Sequence, residues 1–476
     1  DNVIINGTTI GHTGDTDLMT LASGVLTVAS GVLTVAGEVD ATSLDISGDA
    51  DIDGTLETDN LTVGGSQGSD GQVLTSTGSG VGWEDAGGVS ALDGLSDAKS
   101  GGANFTNSLI LGHESTGTLS SANENTGVGY GVLGALTSGT CNTVMGEEAG
   151  DALTTSHYNT GIGWRSLSGA LAGGDGGNVA VGSQALAGLT STSSQNTAIG
   201  CNAMDGTSSN VVHYNTAVGY GALGGALTAN NNVAVGYDAL TANTSGASNV
   251  AVGANALAAN YADSNVAVGM NALKVNTSGA GNTAVGFNAL DANTTSTNNT
   301  GLGYNALSAN YTGDANVAVG SQALAANYTG HYNTAVGQNS LNDSTAANHN
   351  TAVGYAAMAA TTANHNTAVG TYALTANTTS AENVAVGYQS LYTQTDATRS
   401  TAVGAYALKV SNANDNTAVG CTALDANTSG SLNTTVGANA GGGITTGSAN
   451  IVIGVDAQSS RNTSNSNIII GYNSWT

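Results

Sequence analysis

Apolar and polar residues alternate along this chain on two scales, a short one of two residues and a long one of about seventeen. The stretch Asn215-Thr216-Ala217-Val218-Gly219-Tyr220-Gly221-Ala222-Leu223 recurs in closely similar form as Asn232 to Leu240, Asn249 to Leu257, Asn282 to Leu290 and Asn316 to Leu324. With its glycine as marker, 22 copies run from Gly112 to Gly471, spaced 16 to 19 residues apart and most often 17. So short and regular a period signals stacked small units, each unable to bury an apolar face alone. The predicted fold is all-β: a parallel β-solenoid, or β-roll, of about 22 coils of 17 residues.

Each copy is numbered from its asparagine as position 0. Asn107 then opens the first copy, and Ser400 is the exception to the asparagine rule. Position 1 is mostly Thr or Val, position 2 usually Ala, position 3 Val, Ile, Leu or Met, position 4 Gly, and positions 7 and 8 commonly Ala-Leu. The alternation predicts a strand over positions 0 to 3, with 1 and 3 on one face and small residues on the other. Glycine ends it through a bend that other residues avoid. Ala-Leu is expected to begin a second short strand, and a polar turn such as Thr241 to Gly246 leads back to the next asparagine.

Stacking at about 4.8 Å per coil gives a rod on the order of 100 Å long. The expected interior is thin, with Val233, Val235 and Leu240 caged in one coil. The small face, Ala at position 2 and Gly at position 4, is then free for another copy of the chain, so a homotrimer with rolls side by side is expected. Asparagine amides in register should form a hydrogen-bonded column, as in cross-β structures. The structural ladder is accordingly assigned to Asn215, Gly219, Asn232, Gly236, Asn249, Gly253, Asn282, Gly286, Asn316 and Gly320.

Two other regions precede the array. Residues 1–64 hold short alternating runs ending in glycine, among them Ala22 to Val28 and its repeat Ala29 to Val35, and read as an acidic fibrous β-strand shaft. Residues 65–106 read as a connector with a β-hairpin around Thr77 to Gly80, Trp83 packing beyond it. The best helix candidate, Val89 to Ala98, is short and interrupted by Gly94. The array's first and last copies, Leu109 to Leu111, Ile451 to Ile453 and Ile468 to Ile470, are more apolar than its interior ones. Soluble solenoids need polar caps, so a further domain or partner is expected at the C-terminal end. A chain that begins at Asp1 points to an N-terminus processed or lying elsewhere.

Composition narrows the function classes. Charged residues are only 8%, against about 25% in ordinary globular chains, and the formal net charge is -27. Such a surface repels phosphate backbones, which argues against nucleic acid, and it lacks the basic patch that anionic membranes attract. No apolar run approaches the ~18 residues of a membrane helix, so no membrane insertion is expected. Cys141, Cys201 and Cys421 are odd in number and lack metal-ligand spacing, so they read as small thiols rather than a disulfide framework.

Candidate chemistry is sparse. Asp45, Asp49, Asp51 and Asp53 lack the twelve-residue loop and closing Glu of a calcium site, and the single run Gly173 to Gly177 is discounted. His157, His213, His331, His349 and His365 fall just before position 0, in the turn, and His349 and His365 should be neighbours in adjacent coils. No HxH or carboxylate partner supports a metal. No nucleophile-base arrangement or paired-carboxylate cleft is legible, so neither a catalytic residue, a cofactor nor a metal is expected, and the chain is read as not an enzyme. Position 5 gathers aromatics, Tyr220, Tyr237, Phe287, Tyr304, Tyr355 and Tyr388 among them. Such rings either stack on cell-surface glycan or pack between chains, and packing is preferred.

The Asn-Thr-Ala-Val-Gly-Tyr array, with Gly71 to Gly78 and the Leu44 to Gly64 shaft, resembles the tail-fibre and receptor-contacting appendage proteins of marine tailed phages. The array is also similar to the β-roll heads of trimeric autotransporter adhesins, whose coils are shorter. Together these cover most of the chain. The resemblance implies a structural fibre protein of the virion, a homotrimer joined to other fibre or virion proteins at either end, contributing to host attachment and contacting host-surface glycan. In phage relatives the array is often followed by an intramolecular chaperone of the endosialidase type that trimerises the fibre and cuts itself off, so a mature, cleaved product is expected here. The alternative is a bacterial trimeric surface adhesin or extracellular filament subunit, extracellular or at the cell surface. An ice-binding solenoid ranks third, because positions 1 to 3 read Thr-Ala-Val rather than Thr-x-Thr.

Overall fold

The computed structural model describes residues 98–475 except 113–115, 170, 172, 174–175, 190–191, 207–210 and 461, together with strands and short stretches of the first 85 residues. It divides into two compact units, Asp1–Ala86 and Gly87–Thr476. Of the residues read above as the connector, the described ones from 98 to 106 lie in the unit of the array.

The first unit is built from antiparallel pairs. Strands β1 (Val3–Asn6), β2 (Thr9–His12), β3 (Asp15–Ala22) and β4 (Val25–Thr27) form a meander in chain order. Next come a small pair, β5 (Thr62–Val63) with β6 (Ser66–Gln67), and a hairpin of β7 (Gln72–Ser76) with β8 (Val81–Asp85). Ser76 faces Val81, which puts the hairpin's connection over Thr77 to Gly80 as expected. The Trp83 ring packs over the Cα of Gly68, where a Cβ would collide with it. Asp49, Asp51 and Asp53 are exposed, whereas most of the predicted shaft, including residues 28–45, lies outside the described residues. The helix candidate also lies outside them except for Ala98, which is in a strand; among the described residues there is no helix.

The second unit is one long ladder. Strand β9 (Ala98–Ser100) pairs antiparallel with β10 (Leu109–Leu111), and Phe105 is buried in the loop between them. From β10 to β31 (Ile468–Ile470), 22 strands of three residues follow in chain order, each parallel to the next. Around the middle, Thr216, Val233 and Val250 lie in register in β16 (Thr216–Val218), β17 (Val233–Val235) and β18 (Val250–Val252). Parallel pairing at one strand per coil makes this a β-solenoid with a repeat of about 17 residues.

Three expectations about the coil are corrected. First, the strand's small face is the inner one: Ala234, Ala239 and Leu240 are fully buried, whereas Val233 and Val235 point outward and are only half-buried. The coil is too narrow for valines opposite a leucine. Where position 2 is Gly161, a Cβ would already meet the Leu167 Cδ1 at 3.0 Å and the Val144 Cγ1 at 3.3 Å. Larger position-2 residues occur near the ends of the array, as Ile110 and Val144, and the glycines Gly127 and Gly161 flank Val144. The alanine face at position 2 therefore cannot meet a second chain, while the position-4 glycines are half-buried at the bend.

Second, Ala-Leu begins no second strand. Positions 6 and 8 both adopt left-handed backbone, as at Asp238 (φ 49°) and Leu240 (φ 52°), which an extended strand excludes. The Leu240 N–H donates upward to the Ala256 carbonyl and the Asp238 N–H downward to the Tyr220 carbonyl, so this segment bonds to both neighbouring coils as a chain of turns. Third, the first coil's position 0 is Ser108, one residue after Asn107: the Asn125 N–H donates to the Ser108 Oγ at 2.8 Å.

The inside-out strand has a direct test. Ala234→Val should destabilise the array by about 1–3 kcal/mol through overpacking. Val235→Thr, which leaves the coil's own interior untouched, should cost less than Ala234→Val, both measured by denaturant unfolding.

Candidate functional site

Residues that recur along the array form three hydrogen-bonded columns, one through nearly every coil and two over part of it, and the exposed aromatics flank them. The first column is position 0. The Asn232 N–H donates to Asn215 Oδ1 at 2.9 Å, and the Asn249 N–H to Asn232 Oδ1 at 3.0 Å. Likewise the Asn282 N–H reaches Asn265 Oδ1 and the Asn316 N–H reaches Asn299 Oδ1, each at 2.9 Å. Each Nδ2 is used as well: Asn215 donates to the Ala229 carbonyl, Asn282 to that of Ser296 and Asn316 to that of Gly330. Ser400 keeps the pattern with a shorter arm, its Oγ donating to the Ala413 carbonyl and accepting the Asn416 N–H at 3.4 Å.

Gly219, Gly236, Gly253, Gly286 and Gly320 stand at φ between 132° and 141°. At Gly236 this is doubly restrictive, because a Cβ would also press against the backbone carbonyl of Gly253 in the next coil. With the bend in place the Gly236 N–H donates to the Val218 carbonyl at 2.8 Å and continues the ladder past the strand's end.

A second column was not legible as such. Asn243, Asn260, Asn276, Asn293, Asn310 and Asn327, in what reads as a polar surface turn, are fully buried. Asn276 Nδ2 donates to Asn260 Oδ1 at 2.7 Å, Asn293 to Asn276 at 2.8 Å, Asn310 to Asn293 at 3.0 Å and Asn327 to Asn310 at 2.7 Å. In earlier coils leucines such as Leu136, Leu153 and Leu189 serve this wall, so an apolar column gives way to an amide one along the array. The available signal was the constant spacing: an asparagine three residues after the buried leucine, as in Leu240 and Asn243.

The third column runs on the outside of the turn. Here Asp314 Oδ1 accepts the Thr297 N–H, His331 Nδ1 accepts the Asp314 N–H at 2.9 Å, Asn348 Oδ1 accepts the His331 N–H, and Asn364 Oδ1 accepts the Asn348 N–H. To accept, His331 must hold its proton on Nε2. His157 Nδ1 does the same for the Thr140 N–H at 3.0 Å. His349 and His365 stack at 5.2 Å, neighbours as expected. Among the described residues no group of three or more His, Cys, Asp or Glu could hold a metal.

The thiols are free: Cys201 and Cys421 are exposed, and Cys141 Sγ donates to Glu124 Oε2 at 3.1 Å, which pushes its pKa up. Asp291 and Asp425 are half-enclosed, and desolvation raises their pKa values against the opposing pull of Lys274 and Lys409. Arg399 and Asp415 form a two-pronged pair that holds the carboxyl of Asp415 below its usual range.

The aromatics adopt two arrangements. Tyr220 on Tyr237 (5.6 Å, 10°), Phe287 on Tyr304 (5.7 Å, 10°) and Tyr311 on Tyr328 (5.5 Å, 5°) are stacked nearly parallel. Tyr355 with Tyr372 (5.3 Å, 88°) and Tyr388 with Tyr406 (5.2 Å, 88°) meet edge to face. The Tyr372 hydroxyl is bonded to Tyr355, which raises its pKa.

No family model, curated protein or solved structure matches this chain. Among the described residues no helix is long and apolar enough to cross a membrane.

Substitutions at two positions probe the columns. Asn249→Ala strands the Asn265 N–H, while the Ala262 carbonyl keeps the Asn260 Nδ2 donor, and should cost about 1–3 kcal/mol; Asn249→Ser should recover much of this, as Ser400 does. On the outer column His331→Ala should lose about 1 kcal/mol and His331→Asn almost none, because Asn348 and Asn364 already fill that role. Urea midpoints of the four variants decide both.

Proposed function

We propose that this chain is a structural fibre protein of a phage tail appendage, assembled as a homotrimer and contributing to host-surface attachment. The observation that carries the assembly is the outer face of the ladder. Position 1 presents Thr, Val or Ile in every coil from β11 (Thr126–Val128) onward, and position 3 presents Val, Ile, Leu or Met, with no charged residue in either column. At about 10 Å by 100 Å the face amounts to about 1,000 Å² per chain. Position 3 is aliphatic or Met throughout and position 1 is mostly Thr, so the face is uncharged rather than wholly apolar, and its area matches what one partner of a stable interface buries.

A second copy of the same chain has the same rise per coil and meets this face column for column, so three chains facing inward cover it. The formal charge of -27 is then carried by the remaining surfaces, which keeps assembled fibres apart and away from nucleic acid. The virion location, the junctions with other fibre proteins and the contact with host glycan rest on the resemblance of the repeat and shaft motifs to phage appendage proteins. The chain works by projecting and gripping, with no catalytic step.

Light scattering should give a mass of about three times 46.2 kDa; a monomer overturns the assembly. The double variant Val235→Asp with Val252→Asp should shift that mass toward the single chain while the far-ultraviolet circular dichroism is retained, since both side chains point outward. Gold-labelled antibody should decorate virion tails; label confined to bacterial envelopes would move the protein to the surface-adhesin alternative.

A further inference from the structure

A stack of near-identical coils can slide along a copy of itself. A copy displaced by one coil still meets strand against strand and gives up only one level of contact in 22. Position 3 does little to prevent this, since from Val218 onward it is Val in every coil except at Leu302, Ile453 and Ile470. Position 1, the other outward column, is not uniform. It is aliphatic at Leu109, Val179, Val250, Val317, Val384 and Ile451, which is every fourth coil, and again at Val233, Val266 and Ile468. The remaining thirteen coils carry Thr there.

When three copies stand in register, each level brings together either three threonines, whose hydroxyls can bond to one another, or three aliphatics, which pack dry. A slip of one to three coils sets threonine against an aliphatic at roughly half of the levels or more. Each such contact encloses a hydroxyl beside an apolar neighbour and without a partner, which is unfavourable. A slip of four coils preserves the main period, and the three aliphatics outside that period oppose it. Thr160 and Thr300 would then meet Val233, Thr197 and Thr334 would meet Val266, and Thr401 would meet Ile468.

We infer that position 1 is the register code of the homotrimer: the order of threonine and aliphatic levels along the array admits one alignment of the copies, each coil beside its own counterpart. The partner that fits this face is a second copy of the chain, because any other surface would have to reproduce the same irregular order. The inference deepens the homotrimer reading above and rests on it.

The test uses the full chain with nitroxide labels on its exposed thiols, in a Cys141→Ser background. Chains labelled at Cys201 alone (Cys421→Ser) are refolded together with chains labelled at Cys421 alone (Cys201→Ser). The distance between chains is then read by double electron–electron resonance. The two thiols lie 13 coils apart, so an in-register trimer gives one narrow distance of about 60 Å, and each coil of slip moves it by about 5 Å. Changing Val179, Val233, Val250, Val266, Val317 and Val384 to Thr erases the interior pattern. All six point outward and Thr is the commonest residue at this position, so the coils keep their fold. In that variant the distance should split or broaden by about 5 Å or more. The same six changed to Ile keep the order of levels and should retain the parent distance. A broad distribution in the parent, or an unchanged narrow one in the threonine variant, overturns the register code. Loss of the trimer in the threonine variant overturns it as well, because it assigns the valines to affinity. Light scattering separates the two readings: a trimeric parent leaves the fibre proposal standing in each of those cases, and a monomeric parent removes the homotrimer itself.

Discussion

A carboxamide oxygen meeting the backbone N–H of the next coil is the contact on which this structure depends. A coil of 17 residues encloses little apolar volume, one leucine and two alanines in a typical case such as Ala234, Ala239 and Leu240. Area burial of that kind favours compactness without choosing a register. The asparagine column does choose. A chain shifted by one residue would strand buried amides and N–H groups in a low-dielectric interior, where each unpaired group costs a few kcal/mol. The second buried amide column, Asn260 to Asn327, and the outer column through Asp314, His331 and Asn348 repeat the constraint on two other walls. Where the columns run together, up to three hydrogen-bonded edges per coil fix a register that the thin core leaves open.

From this follows the inversion of inside and outside. Because the core needs alanine opposite leucine, the valines and threonines of the strand must face outward, and the repeat turns an apolar surface into a continuous feature along the array. Elsewhere in proteins such a stripe marks something to be covered. The proposed trimer makes the thin core and the apolar exterior two halves of one design: what a single coil cannot bury, its counterparts on neighbouring chains can. The aromatic flank lies beyond the strand, after the glycine bend, and the same column carries parallel pairs in some coils and edge-on clusters in others.

Much of this was legible from residue order. The period, the parallel stacking, the role of glycine at positions such as Gly236, the hairpin ahead of the array and the adjacency of His349 and His365 all follow from spacing, because a solenoid makes residues one repeat apart into neighbours. Burial was harder to read. Val233 and Val235 alternate with Ala234 in any strand, and period two states that they share a face without stating which one. Hydrophobicity pointed to the valines as core; the width of the coil, set by turns on its far side, put alanine there instead. Asn243 was hidden for the converse reason, since a polar residue in a polar stretch reads as solvated until a neighbouring coil covers it. Leu240 at positive φ was not foreseeable either, because the conformation is held by bonds to coils above and below.

By itself, then, the sequence determined the repeat, its register and the residues that punctuate it, since these depend only on separations along the chain. Only the tertiary structure decided which face is inside, which asparagines are buried and which tyrosines pair in parallel or edge to face. Those depend on how wide a closed coil is and what stands across from each side chain, and no separation along the chain contains that distance.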